Sequence, residues 1–207
     1  MWRVTPPSKV EVRRARRAAR REVAARRDLA ADGIRLAQVA AGADTGLLDA
    51  VPPGGTVTLY ESHTVEPATG PLLAALQARG LRVLLPITLP DLDLDWFDAA
   101  DPERTPLGLD AVGEVALALV PGLSVDADGV RIGQGGGCYD KALPRMPRAT
   151  PRVVLLHPEE VLPAGAVPAQ AHDQRVDAAL TADGLVRLGS AGGRGQGQGL
   201  DGGLLDR

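Results

Sequence analysis

Five short, nearly unbroken apolar runs set the strongest limit on what this chain can fold into. They are Thr56–Tyr60 (TVTLY), Arg82–Ile87 (RVLLPI), Val115–Val120 (VALALV), Arg152–His157 (RVVLLH) and Val176–Thr181 (VDAALT). Successive strand side chains point to opposite faces, so a strand with one wet face alternates and a strand covered on both faces does not. The stretches between the runs have room for helices, and Thr69–Arg79, closed by Gly80, reads as one. The pattern predicts an α/β chain: a mostly parallel sheet in a three-layer arrangement, with helices on both faces. At 44% hydrophobic the chain can fill such a core, and at 2% aromatic it must do so with Leu, Val and Ala.

The N-terminal part predicts a basic helix. Ser8 with Glu11 three residues on has capping-box spacing, and the helix is expected to run to about Ala31. Arg13, Arg16, Arg17, Arg20 and Arg27 recur at three- and four-residue steps on one face, with Val12, Ala15, Ala19 and Val23 as a weak apolar stripe on another. Gly33 predicts a break, and a second helix is expected over Ile34–Ala50. From Gly189 onward the Gly-rich composition lacks the apolar surface to offset ordering entropy. One domain over 8–188 and a disordered tail over 189–207 are therefore expected.

Several function classes are disfavoured. A formal net charge of −3, with no aromatic residues interleaved among the arginines, argues against a nucleic-acid partner. No apolar run approaches the roughly 20 residues of a membrane span, and no apolar region follows the basic N-terminus as in a secretory signal. The single cysteine, Cys138, excludes an internal disulfide and suits a reducing, cytoplasmic location. A monomer is expected. His63, His157 and His172 show no metal-ligand spacing, and Asp91, Asp93 and Asp95 lack the glycine and distant glutamate of a calcium loop. His172 with Asp173 reads as a loop hydrogen-bond pair.

The chemistry concentrates in Pro121–Leu143. After the apolar run, Asp128-Gly129 reads as a hairpin turn. Gly133-Gln134-Gly135-Gly136-Gly137 then leads into a short helix beginning near Cys138. Clustered glycines let backbone N–H groups converge into an anion-binding nest, and a helix N-terminus adds positive potential. The loop is neither a P-loop nor a dinucleotide fingerprint. Asp140, just past the nest, is placed to hold a Mg²⁺ that bridges phosphates, and Arg131 to pair with a phosphate oxygen. A tight structural turn would carry the same glycines.

Gly129-x-Arg131-x-Gly133-x-Gly135-Gly136-Gly137-x-Tyr139-Asp140, following Val120-Pro121-Gly122-Leu123, resembles the signature of 5-formyltetrahydrofolate cyclo-ligases. Arg16-x-x-x-Arg20-Arg21-Glu22 resembles the family's basic helix. Glu66-x-x-Thr69-x-x-Leu72 with Gly80-x-x-Val83-x-x-Pro86 resembles its first βαβ segment, and His172-Asp173-x-x-Val176-Asp177-x-x-x-Thr181 its C-terminal block. The resemblance covers roughly Val10 to Leu188. It implies an ATP- and Mg²⁺-dependent cyclisation of 5-formyltetrahydrofolate to 5,10-methenyltetrahydrofolate through a phosphorylated formyl group. By the same resemblance, Gly133, Gln134, Gly135, Gly136, Gly137, Cys138, Tyr139 and Asp140 would contact ATP, with Arg16 and Arg20 neutralising phosphate charge. Asp140 would bind Mg²⁺, Arg131 and Tyr139 would stand at the reaction centre, and Glu66 would contact the formyl-bearing end of the folate.

The chain departs from the pattern in four places. Arg16 replaces a usual lysine, Cys138 a usual tyrosine and Lys141 a common arginine. The stretch from Trp96 to Val112, which helps wall the family's substrate site, is short and has only Asp101-Pro102 where the family ends in Glu-Pro. Lys9 with Arg13 repeats the spacing of Arg16 with Arg20 and is a second, less favoured register for the phosphate-binding pair. A folate- or nucleotide-binding protein of the same fold without turnover is the alternative reading.

Overall fold

A computed structural model describes residues 7–189, so the tail expected over 189–207 lies, but for Gly189, outside the described residues. The first helix, α1 (Lys9–Arg26), starts as the capping box predicts. The Ser8 Oγ accepts from the Glu11 N–H at 3.3 Å, and the Glu11 carboxylate accepts from the Ser8 N–H at 2.8 Å. It ends earlier than expected. The chain is extended at Arg27, and Asp28 caps α2 (Leu29–Ala41) by accepting from the Ala31 N–H at 3.0 Å. Gly33 therefore marks no break; it lies inside α2. A Cβ there would sit 2.8 Å from the Ala68 Cβ and 2.9 Å from the Ala68 carbonyl oxygen, so the glycine serves close packing, not helix termination.

The strands in chain order are β1 (Thr56–Thr58), β2 (Arg82–Thr88), β3 (Leu94–Asp98), β4 (Val115–Pro121), β5 (Ser124–Asp126), β6 (Arg131–Ile132), β7 (Arg152–Leu155), β8 (Val161–Leu162), β9 (Ala178–Thr181) and β10 (Gly184–Arg187). Helix α3 (Gly70–Ala78) joins β1 to β2, and α4 (Cys138–Ala142) follows β6. Seven strands form the main sheet in the order β10-β9-β7-β4-β1-β2-β3. The five central strands, one from each apolar run, are parallel, whereas β3 and β10 close the edges antiparallel.

Alternation on two buried faces explains the unbroken runs. Val83, Leu85, Leu117, Leu119, Val153 and Leu155 pack toward α2 and α3, while Leu84, Ala118, Val120 and Val154 pack on the other face with Trp96, Tyr139, Ala142 and Leu143. Each fully buried leucine contributes about 1.5–3 kcal/mol, so a one-residue slip, which exchanges the faces, is strongly disfavoured.

The second face is covered by α4 and short 3₁₀ turns rather than by long helices, and α1 is not among the elements that cover it. A smaller sheet, β6-β5-β8, takes α1: Val12 packs with Leu123, Val130, Ile132 and Val167. The β5–β6 hairpin turns at Asp128-Gly129, as read from the sequence, with Gly129 at φ +78°.

Candidate active site

Strand β1 leads through α3 to β2 on one side, while its other neighbour, β4, leads on to β7. Chain connections thus diverge between β1 and β4, and the carboxyl ends of such a strand pair leave a crevice. Tyr60 follows β1 there, and Pro121-Gly122 closes β4. They border a cavity of about 440 Å³, inside the range of small-molecule sites.

The glycine loop, Gly133–Gly137, forms one side of the cavity. Gly135 at φ +115° and Gly137 at φ +70° need glycine's freedom. Helix α1 holds the loop from outside, the Arg17 guanidinium donating to the Gln134 Oε1 at 2.8 Å and to its carbonyl at 2.5 Å. Arg13 lies beneath: a Cβ at Gly135 would stand 3.6 Å from the Arg13 Nε, which is buried and has no hydrogen-bond partner. Because α4 is only five residues long its dipole is small, and the cationic side chains at the cavity are those of Arg13, Arg131 and Lys9.

Arg131 is buried, donates to the Pro121 carbonyl at 3.1 Å and to Asp140 Oδ1 at 3.3 Å, and stands 5.8 Å from the centre of the Tyr139 ring. The same Asp140 oxygen accepts from the Gln174 N–H at 3.2 Å, and Oδ2 takes part in neither contact. Among the described residues no group of three or more His, Cys, Asp or Glu could hold a metal ion. A lone carboxylate beside a phosphate cradle suits Mg²⁺ arriving with a nucleotide, because that ion keeps water and phosphate oxygens as most of its ligands.

The lining also carries Tyr60, Glu66 and Tyr139. Glu66 is buried; its Oε2 accepts from the His63 N–H at 3.0 Å. The Tyr139 hydroxyl is buried without a partner, and its ring meets Trp96 edge-on at 6.4 Å. Burial pushes both tyrosine phenols above their ordinary value of 10, so both stay protonated and able to donate.

The structure does not bring Arg16 and Arg20 to this cavity. The Arg16 Nε donates to the Ser124 Oγ at 2.7 Å, and Nη2 to the Glu159 carbonyl at 3.3 Å. Arg20 is buried against Glu160, with both donor distances 2.6 Å, and gives a further hydrogen bond to the Gly122 carbonyl. Lys9 and Arg13 line the cavity instead. All four residues share one helix face, but the two pairs are seven residues apart, about 10 Å along the axis. Only the N-terminal half of α1 passes the cavity.

Three further placements differ from expectation. Asp173 is no mere loop partner of His172: it lines the cavity, pairs with Lys9 and accepts from the Gln170 N–H at 2.6 Å. Although burial opposes it, the Lys9 ammonium holds this carboxyl below its usual value. The segment from Trp96 to Val112 supplies no lining residue; Trp96 backs Tyr139, and Arg104 pairs with the rim residue Glu61 at 2.7 and 3.1 Å. Tyr60 was not singled out from sequence, although its place at the end of an apolar run is the signal that marks a strand's carboxyl end. Cys138 is a half-buried free thiol that also lines the cavity.

Comparison with known proteins bears on the same residues. The sequence model of the 5-formyltetrahydrofolate cyclo-ligase family matches residues 6–182. A 5-formyltetrahydrofolate cyclo-ligase of Mycolicibacterium smegmatis is 32% identical over 153 residues, covering 65% of this chain and 78% of that one. Two solved 5,10-methenyltetrahydrofolate synthetases share the fold. That of Mycoplasma pneumoniae has TM-score 0.66 at 19% identity, over 85% of this chain and 99% of its own. That of Aquifex aeolicus has TM-score 0.69 at 20% identity, over 94% and 99%. With the family match spanning both the glycine loop and the strands that flank the cavity, the chain belongs to the 5-formyltetrahydrofolate cyclo-ligase family.

Proposed function

We propose that this chain is an ATP-dependent cyclo-ligase that converts 5-formyltetrahydrofolate and MgATP to 5,10-methenyltetrahydrofolate, ADP and phosphate. Family membership supports the overall reaction. The observation that carries the site assignment is the convergence of two sets of groups on one cavity. The glycine loop with Lys9, Arg13 and Arg131 offers a cationic cradle, and Tyr60, Glu66 and Tyr139 line the same cavity.

An amide oxygen is a weak nucleophile and a worse leaving group, so the formyl group needs activation. Its oxygen attacks the γ-phosphorus, the bond to the β-phosphate oxygen breaks, and ADP leaves. The neighbouring amine nitrogen then attacks the activated carbon and closes the ring. Its proton departs with the released phosphate, leaving the cationic methenyl product. Positioning and charge stabilisation supply most of the rate in such transfers. Gly133–Gly137 would cradle the phosphates through backbone N–H groups. Arg13 and Lys9 would neutralise phosphate charge, and Asp140 would hold the Mg²⁺ that accompanies ATP. Arg131, beside both Asp140 and Tyr139, would bridge nucleotide and reaction centre, and the protonated Tyr139 would donate toward the formyl oxygen. Glu66 would face the reacting ring nitrogens.

The partners on this reading are small molecules, with no nucleic acid or membrane; among the described residues no helix is long and apolar enough to cross a membrane. A cytoplasmic monomer remains the expectation. The test is absorbance at the methenyltetrahydrofolate band with purified protein, 5-formyltetrahydrofolate and MgATP. A rise that needs both ATP and Mg²⁺ is expected. No rise, with ATP still bound, would overturn the reading in favour of a binding protein of the same fold.

A further inference from the structure

Among the described residues the most deeply buried cation stands behind the folate wall, not at the phosphate cradle. Arg20 is 2% exposed, and Glu160, which it grips with two nitrogens, is 1% exposed. Glu160 is itself fixed, since its Oε2 accepts from the His157 N–H at 3.0 Å while the His157 Nε2 lies 3.1 Å from the Val65 carbonyl. These contacts tie α1 and the turn before β8 to the segment that carries Glu66. The remaining nitrogen of Arg20, Nη1, is buried with no hydrogen-bond partner and lies 3.6 Å from Glu66 Oε1. The other Glu66 oxygen is held by the His63 N–H. Glu66 is thus fixed by backbone on one side and backed by a guanidinium on the other, at the wall of the cavity.

We infer that Arg20, locked in place by Glu160, is a positioning residue that aims Glu66 at the folate, and that it takes no part in binding the nucleotide. The inference rests on the reading of Glu66 as a folate contact. A buried donor without a hydrogen-bond partner is costly, and here it is turned toward the Glu66 carboxylate. Two carboxylates to one guanidinium also leave the formal charge of this cluster negative, with the protonated Tyr60 and Tyr139 beside Glu66. The formyl substrate is neutral at the reacting ring system and the methenyl product is cationic. A wall of excess negative charge, held rigidly, favours the product-like charge that develops on ring closure.

The test compares Arg20→Lys, Glu66→Gln and their combination in the full chain, measuring kcat and KM for each substrate. Arg20→Lys keeps the charge and loses the fork that grips Glu160. It is expected to lower kcat/KM for 5-formyltetrahydrofolate by up to about 100-fold, the cost of a misplaced contact, with KM for MgATP unchanged. In the Glu66→Gln background the same change should cost less than about twofold, because the two residues act as one unit. A raised KM for MgATP with normal folate kinetics, or losses that multiply in the combined variant, would overturn the positioning role. Glu66→Gln with wild-type kinetics would instead sink the Glu66 reading and the inference with it. Should Arg20→Lys fail to fold, the paired variant Arg20→Met/Glu160→Leu replaces a buried ion pair by apolar side chains, an exchange that buried pairs tolerate. It should show the same folate-selective loss, and a folded paired variant with normal turnover would refute the idea.

Discussion

Replacing Arg13 by methionine separates the two candidate phosphate-binding registers on α1. Among the described residues Arg13 makes no hydrogen bond or ion pair within the chain, and its Nε is buried beside Gly135. Its removal should therefore leave folding almost unchanged, since methionine retains most of the apolar stem. A hydrogen bond to a charged group is worth about 1.5–3 kcal/mol. If Arg13 meets a phosphate in the bound state, that loss predicts a fall in kcat/KM for MgATP of roughly ten- to 150-fold. The assay is the initial rate at the methenyltetrahydrofolate band as MgATP is varied at saturating folate. Arg16→Met is the control. It removes a 2.7 Å hydrogen bond to Ser124 and a longer one to the Glu159 carbonyl, so it should cost about 1 kcal/mol of stability and leave KM for MgATP alone. Equal losses in the two variants, or a loss confined to Arg16→Met, would refute the axial-offset argument.

Other consequences are equally direct. Asp140→Ala removes the 3.3 Å contact to the buried Arg131 and the 3.2 Å hydrogen bond from the Gln174 N–H, so the stability loss should be about 1–3 kcal/mol. Turnover should fall by at least about 100-fold, and wild-type turnover would exclude Asp140 from the nucleotide's metal. Gly129→Ala places a Cβ 2.5 Å from the Val176 carbonyl oxygen at φ +78°. The expected cost is about 2–4 kcal/mol in urea unfolding, from left-handed strain and overpacking together, and an unchanged midpoint would refute that close approach. Asp93 is gripped by Nη1 and Nη2 of Arg145, each at 2.8 Å, which lowers its carboxyl from an ordinary 3.8 to about 2. A depressed value stabilises the fold above the ordinary one and ceases to do so as pH falls through the lowered one. Asp93→Asn should thus be less stable than the native chain at neutral pH, with the gap closing between about pH 4 and pH 2; a gap that persists at pH 2 would rule the ion pair out as its source.

Much of this architecture was legible because burial leaves a periodic trace. The five parallel strands announced themselves since both of their faces are covered, and the hairpin at Asp128-Gly129 and the cap at Ser8 are local chemistry that a few neighbouring residues decide. Strand β10 was missed because it is only half covered, with two exposed residues of four, and β3 because Asp95 and Asp98 break up its apolar residues although none of its five positions is exposed. Gly33 misled because glycine serves a helix end and a close helix contact alike, and only the approach of Ala68 distinguishes them. Asp28, the residue that starts α2, carried a cap signal that the arginine periodicity around it obscured.

The sequence by itself determined the layered sheet, the glycine loop and the family to which the chain belongs, because these depend on side-chain period and on short ordered motifs. Tertiary structure alone decided which arginines face the cavity. Lys9, Arg13, Arg16 and Arg20 are equivalent by helical period, and their difference is axial: the first two line the cavity, while Arg20 is drawn to Glu160, 140 residues away. The meeting of Lys9 with Asp173 and of Arg20 with Glu66 is likewise set by how α1 crosses the small sheet. Periodicity reports which face of an element is buried; how far along its axis it meets another element is fixed only by packing.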